Sequence, residues 1–100
     1  MTEYILLMHD DEVIQVNEDD WEPYLRKLKD GGCFRGGSAI GKGECARKSG
    51  AAPEISRHLS GFIRVEAVSI TQARSLLAGN PTFEAGGTVE IRELPRTNHP

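Results

Sequence analysis

The chain opens with five consecutive apolar side chains, Tyr4-Ile5-Leu6-Leu7-Met8, inside a stretch that reads as a strand over residues 3–9. A run that does not alternate predicts a strand covered on both faces. The polar quartet His9-Asp10-Asp11-Glu12 ends it as a solvated turn. The next apolar positions, Trp21, Leu25 and Leu28, fall at i, i+4 and i+7 and give a helix a single buried stripe. The pattern predicts that this helix starts at Asp19 or Asp20. Acids crowd its first turn, Pro23 is tolerated only there, and Arg26, Lys27 and Lys29 suit the negative end of its dipole. Gly31-Gly32 stops it.

Residues 33–40 form a weaker strand interrupted by Gly36-Gly37, followed by a loop over residues 41–54 with a short hairpin turning at Lys48-Ser49-Gly50. A third strand is predicted over residues 57–67. Leu59, Ile63 and Val65 lie on one of its faces, and His58, Ser60, Phe62, Arg64 and Glu66 on the other. Ser69 with Gln72 three residues on is a capping box. It opens a second helix with the stripe Ile70, Ala73, Leu76 and Leu77, which Gly79-Asn80-Pro81 ends. Residues 87–94 give the last strand, alternating through Val89 and Ile91 and terminated by Pro95, with a frayed tail to Pro100. The order β-α-β-β-α-β predicts one α+β domain over residues 1–100. Its economical packing is a ferredoxin-like antiparallel four-stranded sheet with both helices on one face. The second apolar face of the first strand then lacks cover, and a second copy of the chain is expected to close it.

Composition sharpens this expectation. One hundred residues make a thin core, which a partner subunit helps to complete. With 38% hydrophobic and 27% charged residues the chain has the balance of a soluble globular protein. Five residues is too short an apolar run to span a membrane, and no cationic segment precedes an apolar stretch at the start, so a cytoplasmic location is expected. The net charge of −3 argues against non-specific binding of nucleic acid. That charge is uneven. Residues 1–30 hold nine acids and three bases, residues 31–60 two acids and five bases, and residues 61–100 four of each. Seven of the eleven glycines lie between Gly31 and Gly50. The basic, glycine-rich middle makes a small polar or anionic molecule the expected ligand.

Few motifs carry chemistry. Cys33 and Cys45 are too sparse for a disulfide scaffold, and with three histidines, one of them in the tail, a metal site is not expected. Gly36-Gly37-Ser38-Ala39-Ile40-Gly41-Lys42-Gly43 falls one residue short of a phosphate-binding loop, because Gly43 supplies no hydroxyl for Mg²⁺. Ser60 lacks the G-x-S-x-G setting of a nucleophile. The more informative signal is topological. If the first and third strands pair antiparallel, His9 and Asp10 come near Arg57 and His58 at one rim of the sheet. Ser38, at the end of the second strand, and Trp21, at the entry of the first helix, reach the same rim. An imidazole beside a carboxylate is the minimum for general acid–base chemistry near neutral pH. His9, Asp10 and His58 are therefore the candidate catalytic residues, with Ser38, Arg57 and Trp21 holding a ligand. The alternative is a non-enzymatic dimeric module for sensing or assembly in which the histidines are structural.

The chain resembles the YCII-related family, including its branch named for a DGPF motif. The resemblance covers most of the chain. It rests on Tyr4-Ile5-Leu6-Leu7-Met8, on the pattern Trp21…Leu25…Leu28…Gly31, on Gly61-Phe62-Ile63-Arg64-Val65-Glu66-Ala67 leading into Ala73, Leu77, Asn80 and Pro81, and on the closing Gly86-Gly87-Thr88-Val89-Glu90-Ile91-Arg92-Glu93-Leu94. It implies a ferredoxin-like subunit dimerised sheet to sheet as an α+β barrel, with no cofactor and a site that pairs a histidine with an aspartate. Asp10 matches that aspartate. Trp21-Glu22-Pro23-Tyr24-Leu25 stands where other members carry the helix histidine, and Ala52-Pro53-Glu54-Ile55 where the DGPF branch has its signature. A third expectation, cofactor-free oxygenase-like chemistry, rests on analogy with other α+β barrel dimers alone.

Overall fold

A computed structural model describes residues 1–96; the tail expected to fray, with His99, lies outside the described residues apart from Arg96. The elements run β1 (Thr2–His9), a 3₁₀ turn (Glu18–Asp20), α1 (Trp21–Asp30), β2 (Phe34–Ala39), β3 (Leu59–Ala67), α2 (Ile70–Ser75), α3 (Pro81–Glu84) and β4 (Val89–Leu94). The four strands form one antiparallel sheet in the order β2-β3-β1-β4. The architecture is α+β and compatible with a ferredoxin-like arrangement. No helix among the described residues is long and apolar enough to cross a membrane.

Strand β1 is central, paired with β3 on one side and β4 on the other, so Leu6 lies between Ile63 and Ile91. Alternation divides its side chains between two environments. Tyr4, Leu6 and Met8 are buried with Ile63, Val65, Leu28, Ala73 and Leu77 beneath the helices. Ile5 and Leu7 point the other way with Phe62 and are half-buried. Ion pairs frame these three residues: Glu3 meets Arg64 at 3.0 Å, and Arg35 donates to Glu66 at 2.7 Å. The helices all cover one face, so the chain is thin, 46 × 40 × 20 Å.

Several details depart from the sequence reading. Asp20 does not cap α1 through its side chain. Asn17 caps the preceding 3₁₀ turn instead, its side-chain oxygen accepting from the Asp19 N–H at 3.0 Å. The residues α1 buries completely are Tyr24 and Leu28, whereas Trp21 and Leu25 are half-buried. Tyr24 had no place in the expected stripe. Its hydroxyl donates to the Leu76 carbonyl at 2.8 Å, which lets a phenol sit in the core, and burial pushes that phenol above its ordinary pKa.

The second helix is short. It starts as the capping box requires, with Ser69 accepting from the Gln72 N–H, but ends at Ser75. Ile70 remains 54% exposed, so it does not belong to the buried stripe. Asn80-Pro81 begins a further helix rather than only ending one: the Asn80 side chain accepts from the Phe83 N–H at 3.1 Å, and Pro81 occupies the first position of α3. Strand β3 starts at Leu59, so Arg57 and His58 precede it and His58 is not on its outer face. Residues 40–58 carry neither helix nor strand, and the expected hairpin at Lys48-Ser49-Gly50 is only a bend. With that segment exposed for most of its length, the radius of gyration reaches 15.1 Å, against about 13 Å for a compact chain of this size.

Candidate functional site

The ends of β1 and β2 and the start of β3 meet at one rim of the sheet, as the strand pairing requires. Two groups of side chains gather there, on opposite faces.

On the helix-covered side, a cavity of about 520 Å³ lies between α1 and the β2–β3 part of the sheet. Trp21 and Ser38 both line it, as do Met8, Leu25, Phe34 and Ile63. Trp21 reaches the cavity because the 3₁₀ turn places it at the first position of α1, where its ring stands edge-on to Tyr24 with centroids 6.2 Å apart. Ser38 pairs with Phe62 in register, so its side chain lies on the uncovered face with Phe62 rather than toward α1, and its hydroxyl donates to the Ala39 carbonyl at 2.9 Å. The glycines predicted to interrupt β2 shape this wall. Gly36, at φ 132°, sits where the β2–β3 register shifts. A Cβ on Gly37 would lie 2.6 Å from the Phe62 carbonyl oxygen, so only glycine lets the two backbones approach so closely. A cavity of this volume suits a small organic molecule.

On the uncovered face, His9 and His58 meet edge to face with ring centroids 4.7 Å apart. The pairing inferred from topology is therefore observed, but the carboxylate beside it is not the expected one. His9 Nε2 lies 3.1 Å from Glu90 Oε1. Asp10 is exposed; its backbone N–H donates to the His58 carbonyl at 2.8 Å, and among the described residues its carboxylate has no hydrogen-bond or ionic partner. Arg57 is exposed and does not line the cavity, nor do Lys42, Arg47 and Lys48. Glu90 also accepts from Arg92 at 3.1 Å, and the Arg92 and His9 contacts hold its carboxyl below the ordinary glutamate value. Glu90 entered the sequence reading as part of the last strand, without a role. It reaches His9 because β4 pairs with β1 so that Leu7 faces Glu90, a register set by residues far apart in sequence, His9 and Glu90 themselves being separated by 81.

The acidic turn after β1 is not simply solvated. Asp11 accepts from the Thr88 N–H at 2.8 Å and from the Thr88 hydroxyl at 2.7 Å, tying the end of β1 to the start of β4. Those two bonds, the hydroxyl first, hold the Asp11 carboxyl below its ordinary 3.8. The folded chain then binds fewer protons than the unfolded chain near that pH. The stabilisation is complete above the unfolded value and fades as pH falls through the folded one. Asp11→Asn is expected to flatten the loss of stability between pH 5 and pH 2.5, measured as urea midpoints; a limb as steep as that of the unaltered chain would remove Asp11 from the acid response.

Among the described residues, no group of three His, Cys, Asp or Glu side chains is arranged to hold a metal ion. Compared with known proteins, the chain matches no family model and no curated protein.

Proposed function

We propose that the chain is a small-molecule-binding subunit, ferredoxin-like and paired sheet to sheet with a second copy as a dimeric α+β barrel of the YCII-related kind, and that it binds a small polar organic ligand at the rim of its sheet. The observation that carries this reading is the cavity between α1 and the sheet, lined by Trp21. Trp21 offers a flat aromatic wall, and Met8, Leu25 and Ile63 an apolar lining. Trp21 is the only tryptophan, so its emission reports occupancy directly. A screen of small polar organic compounds read by that emission is expected to yield ligands whose affinity, measured by calorimetry, falls at least tenfold in Leu25→Trp, a change that fills the cavity. Ligands indifferent to Leu25→Trp would overturn the assignment.

A second reading, acid–base chemistry, is supported by the His9–His58 contact together with Glu90 beside His9. Here His9 and His58 carry the proton transfer and Glu90, rather than Asp10, orients the His9 ring. Arg57, free of ion pairs among the described residues, is left to meet a substrate carboxylate. His9→Gln and His58→Gln are the discriminating variants. Retained ligand affinity with turnover abolished fits the enzyme, whereas affinity and turnover both unchanged leaves the histidines structural, as in a sensing or assembly module.

A further inference from the structure

The charges on the cavity wall are all of one sign. Glu12 and Glu18 line it, and no lysine, arginine or histidine does. Neither carboxylate has an ionic partner among the described residues, whose ion pairs engage Glu3, Glu22, Glu66 and Glu90 instead. The turn that carries them, residues 10–20, holds six acids and no base, so this segment brings only negative charge to the cavity. The remaining polar residues along the wall, Ser38, Ser60 and Thr82, are uncharged. Apolar surface from Met8, Leu25 and Ile63 makes up the deeper lining, and the face of Trp21 adds a site at which a cation is attracted by the ring quadrupole. Phe34 has Lys29 Nζ 5.3 Å from its centroid, which leaves Trp21 as the aromatic face for a ligand.

Resting on the cavity reading above, we infer that the ligand is a small organic cation: a protonated amine on an apolar body. The ammonium group is held by Glu12 and Glu18 against Trp21, and the body fills the space between α1 and the sheet. An anion in the same place would face two uncompensated carboxylates, and the basic residues that made an anion the expected ligand lie outside the wall. The carboxylates alone would mark only an acidic surface. What makes them a ligand site is that they share a cavity of about 520 Å³ with an aromatic face and an apolar floor.

Three probes of one shape test this on the full chain: 2-phenylethylammonium, 2-phenylethanol and 3-phenylpropanoate, titrated at pH 7 with Trp21 emission and calorimetry as readouts. The amine is expected to bind at least tenfold more tightly than the alcohol, with the acid weakest. The Glu12→Gln/Glu18→Gln double variant is expected to bring the amine down to the affinity of the alcohol. Alcohol or acid binding as tightly as the amine would overturn the cationic assignment while leaving the cavity as the ligand site. Failure of all three probes to bind would overturn both.

Discussion

Leu6→Ala is expected to destabilise the chain by about 3–4 kcal/mol, the range for deleting a buried leucine whose neighbours cannot close the gap. Leu6 is fully buried, lies on the central strand, and has Ile63 and Ile91 beside it in the sheet. Ile63 is held by ladder hydrogen bonds on both sides and Ile91 by those to β1, so collapse into the void would have to distort the sheet. A domain of this size has roughly 5–15 kcal/mol in total, so the loss takes a large part of it. The corresponding fall in melting temperature is roughly 15–25 °C. The comparison is Val68→Ala, at a position 65% exposed, expected to change stability by under about 0.5 kcal/mol. Both are to be read at one protein concentration, because association stabilises the folded state by mass action. Equal effects from the two substitutions would place the core elsewhere.

The central position of Leu6 follows from what residues 4–8 show as a sequence. Five apolar side chains in a row suit an interior strand with a layer on each face, and the helices supply one of those layers over Tyr4, Leu6 and Met8. The two helix starts were legible for local reasons, acids and a proline near Trp21 and a capping box at Ser69. The division of the second helix was not, although its signal was present. Gly79-Asn80-Pro81 reads first as a stop, but Asn before Pro is also the signature of a helix start, with Asn80 as cap and Pro81 at the first position. Tyr24 was missed because its burial depends on a carbonyl, that of Leu76, supplied by a segment 52 residues away.

The site divides along the same line. That His9 and His58 meet follows from β1 and β3 being antiparallel neighbours, which the element order implies. That Glu90 replaces Asp10 beside His9 depends on the β1–β4 register, and no local pattern fixes a register between strands so far apart in the chain. Trp21 and Ser38 both come to the rim but with their side chains on opposite faces of the sheet, and the face was not legible. The bulge at Gly36 resets which side chains of β2 face the helices, and it is visible only in three dimensions. Glu12 and Glu18, read as a solvated turn and a helix start, became wall residues because the segment between β1 and α1 folds back over the cavity.

On the uncovered face, Leu7→Lys is expected to turn a dimer into a monomer. Light scattering of the unaltered chain at micromolar concentration should give twice the 11.0 kDa of one copy, and the variant a single copy. A twofold axis makes each substitution count twice. Losing the apolar contact of Leu7 in both copies removes about 3 kcal/mol, more than a hundredfold in Kd, before the cost of placing two ammonium groups in an apolar interface. Lysine is the informative choice because Leu7 lies opposite Glu90 in register, so the new side chain has an ionic partner within its own sheet and the subunit keeps its fold. Circular dichroism unchanged from the parent would show this. Ile14→Asp, at a position 65% exposed in the segment packed near α3, is the control and is expected to remain dimeric. A parent chain that stays monomeric and folded would remove the sheet-to-sheet pairing, because Ile5, Leu7 and Phe62 would then be stable facing water.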